Sequence, residues 1–75
     1  MKEPPIRIVV RPLSLGAGGR SNQSVVAYDV TVLDGAFALA MVTRSTLEEA
    51  RAFVLGVQVG LRGLREWESQ ELPGP

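Results

Sequence analysis

The dipeptide Asp34-Gly35 lies between two apolar runs, VVAYDVTVL before it and AFALAMVTR after it, and it constrains the fold of this chain more than any other feature. Asp-Gly between alternating hydrophobics is the strongest short-range signal for a two-residue hairpin loop, because glycine and aspartate accept the positive φ that such loops need. A loop centred there sets the register. Leu33 faces Ala36, and counting outward pairs Val32 with Phe37, Val30 with Leu39, Tyr28 with Met41 and Val26 with Thr43. These residues are mostly large and share one face, which is therefore expected to be the core face. The opposite face pairs Thr31 with Ala38, Asp29 with Ala40, Ala27 with Val42 and Val25 with Arg44, and is expected to point outward.

Upstream, IRIVVR, Ile6 to Arg11, is β-branched and bounded by proline on both sides, so it reads as a strand. Its alternation turns Ile6, Ile8 and Val10 one way and Arg7, Val9 and Arg11 the other. Downstream, Ser45 as N-cap with Glu48 three positions on forms a capping box, and Glu48 and Glu49 complement the positive end of a helix dipole. Leu47, Ala50, Val54, Val57, Leu61 and Leu64 then recur at three- and four-residue steps with Phe53 beside them, which predicts one long helix over the core face. Arg62 and Arg65 suit its C-terminal end. REWESQE reads as a solvated helix end, and Gly60 and Gly63 offer an earlier stop because glycine caps helices. The expected architecture is α+β, a three-stranded antiparallel sheet with one long C-terminal helix on one face. It forms a single domain over residues 1–75, ordered over about 5–69 and with a disordered tail over 70–75.

The 75 residues include no cysteine and no histidine. Thiolate chemistry, the commonest general base and the commonest metal ligand are all absent, which points away from an enzyme and from any cofactor or metal. Asp29, Asp34, Glu48 and Glu49 are absorbed by a sheet face, a turn and a capping box, leaving no acid–base pair. Eight basic and eight acidic residues give zero formal charge, so no strong field gathers nucleic acid or anionic membrane. The N-terminus lacks the apolar stretch of a signal peptide, and no apolar run nears the roughly 20 residues of a membrane span. A cytoplasmic protein is expected.

Two surfaces look unfinished. The outward sheet face carries Ala27, Ala36, Ala38, Ala40 and Val42 where a solvated face would carry polar residues. On the helix, Ala52, Gly56 and Gly60 form a strip of small residues away from the core stripe, with Trp67 further along the chain as a contact anchor. These surfaces predict a small non-enzymatic interaction protein, an adaptor, regulator or inhibitor that occupies a protein partner's surface and forms a homodimer, the commonest oligomeric arrangement.

Two other classes compete with this one. In SLGAGGRSNQS, the residues Gly16, Gly18, Gly19, Arg20, Ser21 and Asn22 offer backbone amides and a guanidinium for a phosphate-bearing ligand. The segment has no P-loop lysine and leads into a strand instead of a helix. Nucleic-acid binding is the other competitor. A three-stranded sheet backed by a helix resembles the arm-type DNA-binding domains of integrases, with Arg7, Arg11, Arg20 and Arg44 as the implied contacts. Neutral charge and the lack of polar base-readers depart from that pattern. YDVTVLDG followed by STLEEA also resembles the hairpin-plus-helix of HicB-type antitoxin domains over about half the chain, which implies that local arrangement alone.

Overall fold

The computed structural model describes residues 3–15 and 24–73, apart from the side chains of Leu15 and Ser24. Its elements are β1 (Ile6–Leu15), β2 (Ser24–Asp34), β3 (Phe37–Arg44), α1 (Leu47–Leu61) and β4 (Trp67–Glu71). The four strands form one sheet in the order β3-β2-β1-β4. β1 and β3 each pair antiparallel with β2, whereas β4 pairs parallel with β1. The fold is thus α+β with one helix, as expected, but its sheet is four-stranded and mixed.

The added strand corrects the reading of REWESQE as a helix end. Helix α1 stops at Leu61, and Gly63 just beyond it has φ +78°, the left-handed conformation that glycine adopts without a Cβ penalty. Freed from the helix, Trp67 to Glu71 run beside β1, with Ile6 opposite Trp67 and Val10 opposite Glu71. The ends of this pairing are secured by Ile6 N–H donating to Glu66 O at 2.9 Å and by Leu72 N–H donating to Val10 O at 2.8 Å. A parallel partner cannot be reached by a tight turn, so α1 carries the chain across the whole sheet from the β3 edge to the opposite edge. Arg62 and Arg65 lie past the helix, not in its last turn.

β1 also outruns its expected limit at Arg11. It continues through Pro12, which pairs with Tyr28, to Leu15. Proline lacks the N–H that a strand with neighbours on both sides would use. Here it is accommodated because the β4 pairing ends at Val10, leaving β2 as the partner of the Pro12 stretch.

The buried core consists of Ile6, Ile8, Val10, Val30, Val32 and Ala50, with Leu47, Phe53, Val54, Val57 and Leu61 of the helix packed on it. The inward alternation expected for β1 therefore holds, as does that of Tyr28, Val30 and Val32 in β2, whereas Val26 at the far end of β2 is exposed. That of β3 does not hold. The hairpin loop is Gly35-Ala36, closed by the pair Asp34–Phe37, so the turn sits one residue later than Asp34-Gly35. Gly35 takes φ +61° at the first central position, where a hairpin loop of the Gly-X kind needs glycine. A bulge then displaces the ladder again, because Leu33 pairs with Ala38 while Val32 pairs with Ala40. From there Val30 faces Val42 and Tyr28 faces Arg44.

The later turn shifts the pairing by two residues and keeps the faces, and the bulge then reverses them from Ala40 onward relative to the expectation. Ala40 and Val42, expected outside, pack against the core under the helix. Phe37, Leu39 and Met41, expected inside, are 78%, 57% and 66% exposed. The physical reason is complementary size: α1 brings Leu47 and Phe53 to this packing, and small strand residues leave them room. Arg44, on the same side as Val42, lies with its guanidinium 5.4 Å from the centre of the Phe53 ring.

The helix start is also one residue later than expected. Thr46, not Ser45, is the N-cap: its hydroxyl accepts from Glu49 N–H at 3.1 Å and donates to the Glu49 carboxylate at 3.1 Å. Among the described residues no helix is long and apolar enough to cross a membrane.

Candidate interaction surface

One face of the sheet is covered by α1; the other carries no described element. Register places its residues in rows. Gln70, Val9, Thr31 and Met41 form one row, and Arg11, Asp29 and Thr43 the next. The face is graded across its width. Towards β4 it offers Arg7, Arg11, Glu68 and Gln70, while towards β3 it offers Leu33, Met41 and the exposed Leu39. Asp29, only 7% exposed, is the sole buried charged residue of the described chain, and it is matched by Arg11 Nη2 at 3.2 Å from the residue directly opposite.

At the β3 side the apolar character continues to the margin of the sheet. Among the described residues no strand pairs with the outer edge of β3, so that row of backbone N–H and C=O groups is left to solvent. Between Phe37 and Thr43 the strand has no charged residue and no proline to discourage further pairing.

The β4 side is closed by side chains. Arg51 of α1 donates from Nε to Glu71 Oε2 at 2.8 Å and from Nη2 to Glu71 Oε1 at 2.9 Å, and Gln58 Nε2 donates to Ser69 Oγ at 3.3 Å. The Arg51 hydrogen bond holds the Glu71 carboxyl below its ordinary range, and the same contact raises Arg51. Arg65 joins three segments. Its Nη2 donates to Pro4 O at 2.7 Å and to Asp34 Oδ1 at 3.1 Å, its Nη1 to Asp34 Oδ2 at 3.3 Å, and Glu3 lies 3.4 Å away. Chiefly through the Asp34 hydrogen bond, Arg65 is held above its usual range.

The residues singled out from the sequence fall in several places. Gly16, Gly18, Gly19, Arg20, Ser21 and Asn22 lie outside the described residues, in the segment that joins the paired ends of β1 and β2. Ala27 is half-buried opposite Leu13, Ala36 is in the hairpin loop, and Ala38 is exposed beside the bulge. Ala40 and Val42 sit on the covered side. Ala52, Gly56 and Gly60 are exposed on α1, and a Cβ at either glycine meets nothing within 4 Å. Trp67 packs half-buried against the core and lines a shallow open cleft of about 400 Å³ with Arg62, Gly63, Leu64, Arg65 and Glu66.

Sequence reasoning missed Leu39 and Met41. The available signal was that FALAMV is apolar at both parities, so side-chain size alone could not decide its inward face. No cluster of three or more acidic, histidine or cysteine side chains suited to a metal occurs among the described residues. No family model matches the chain, and no curated protein or solved structure matches it.

Proposed function

We propose that the chain is a non-enzymatic interaction domain that works by occupying a protein surface, and that it does so as a homodimer. The observation that carries this reading is the apolar patch formed by Leu39 and Met41 beside Leu33, on a sheet face without a covering layer. Each large apolar side chain fully removed from water contributes about 1.5–3 kcal/mol, so covering this patch is a substantial gain for a small domain. The cytoplasm is the compartment proposed for it.

Arg7 and Arg11 alone do not favour a nucleic-acid surface on the same face, because Arg11 is drawn to Asp29 and Glu68 lies directly opposite Arg7. Sedimentation equilibrium tests the proposal. The wild-type chain is expected at twice its 8.1 kDa mass, and the double variant Leu39→Ser, Met41→Ser at the monomer mass with an unchanged far-ultraviolet spectrum. A wild-type monomer at millimolar concentration overturns the homodimer.

A further inference from the structure

We infer that the second copy docks by adding its own β3 to the outer edge of β3, antiparallel about a twofold axis, so that the two sheets become continuous. This rests on the homodimer proposed above and names the surface that forms it.

The occupant is defined first by backbone chemistry. An unpaired strand edge presents alternating donors and acceptors that are satisfied together only by another extended strand. Side chains narrow the choice further. The partner strand must tolerate apolar neighbours on the open face and small ones on the helix side, and β3 carries that combination itself: Met41 and Leu39 exposed, Ala40 and Val42 against the core. Charge permits self-pairing, since Arg44 at the strand end is its single charged residue and the whole chain is neutral. The opposite edge is less suited, because WESQE is short and carries two carboxylates, one of them held by Arg51 of α1.

Geometry also restricts the register. Directly paired residues point to the same side of a sheet, so keeping both helices on one face requires paired residues of equal parity. The bulge between Ala38 and Ala40 leaves Ala40 to Arg44 as the regular stretch. A twofold axis centred on Met41 or on Val42, which keeps the exposed methionine within the paired stretch, sets Met41 either against its own twin or against Thr43 of the partner subunit. Both arrangements place the exposed methionines in the seam.

The absence of cysteine makes the register directly readable. Chains carrying Met41→Cys, an equimolar mixture of Met41→Cys and Thr43→Cys chains, and chains carrying Gln70→Cys on the opposite edge would each be oxidised with a mild disulfide-exchange buffer. Products would be read on a non-reducing gel, with native mass measured in parallel under reducing conditions. Paired strands bring opposite Cα atoms within disulfide range. The expected result is a covalent dimer from Met41→Cys alone or from the mixture, at least tenfold more than from Gln70→Cys. A reduced dimer mass without preferential cross-linking at β3 overturns the edge pairing while the homodimer stands. A reduced monomer mass overturns both.

Discussion

β4 ends the sheet with WESQE, five residues that include two carboxylates, tied to the helix through Arg51–Glu71 and Gln58–Ser69. β3 ends it with FALAMVTR, eight residues with one charge at the last position and no described neighbour on the outer side. Both are edges of the same sheet and meet the same solvent, so the contrast cannot come from position alone. A short, charged, side-chain-anchored edge discourages pairing with another chain, whereas a longer apolar edge invites it. The molecule therefore has a closed side and an open side, and the crossover helix separates them.

The largest effect is expected where both edges depend on one strand. Ile8 is fully buried in β1, and Ile8→Ala should cost about 2–5 kcal/mol in urea unfolding, enough to unfold much of a domain this small. If that variant is nearly neutral, the core does not lie between β1 and α1. Next is the open edge. Met41→Lys should weaken self-association at least tenfold in sedimentation while leaving monomer stability within about 0.5 kcal/mol, because the side chain is already exposed. Gln70→Lys on the closed edge should change neither quantity. Equal effects at the two positions would erase the contrast.

Gly35→Ala tests the hairpin that presents β3. With φ at +61° a Cβ is disfavoured, so the variant should lose about 1–2 kcal/mol even though nothing stands within 4 Å of the new atom. Gly56→Ala is expected to move the other way. Its position is helical with open space around it, so stability should rise by about 0.5–1 kcal/mol with no loss of the dimer, whereas a helix-packed dimer would weaken. The smallest effect belongs to Arg51–Glu71. Because Glu71 is held below its unfolded range, the pair's contribution is present above the unfolded value and lost as pH falls through the folded one. Glu71→Gln should remove that acid-limb component from the stability profile and little else, as expected for an exposed ion pair.

What the sequence made legible follows from how many independent signals converged. β1 and β2 alternate β-branched residues with positions that include Arg7, Arg11, Asp29 and Thr31, so Ile6, Ile8, Val10, Val30 and Val32 could be assigned inward on pattern alone. The helix has an apolar stripe, a cap within one residue of its true place and, at Gly63, a glycine that suits its stop. β3 had no such contrast. Its apolar residues at both parities left the register to the turn, and Gly35 serves equally in a loop centred one residue later. β4 was hidden because WESQE has neither apolar alternation nor length. What makes it a strand is its place beside β1, reached through a 15-residue helix, a long-range consequence that no local pattern carries. Of the small residues that mark this part of the sheet, Ala40 and its neighbour Val42 belong to the side the helix covers.

The contrast between the two edges is tested most directly by amide hydrogen exchange, followed residue by residue at low and high protein concentration. On this account the amides of Ala40 to Arg44 include some that slow markedly as concentration rises, while those of Trp67 to Glu71 keep one rate throughout. Exchange in β3 that is independent of concentration, or protection that grows in β4 instead, would contradict it.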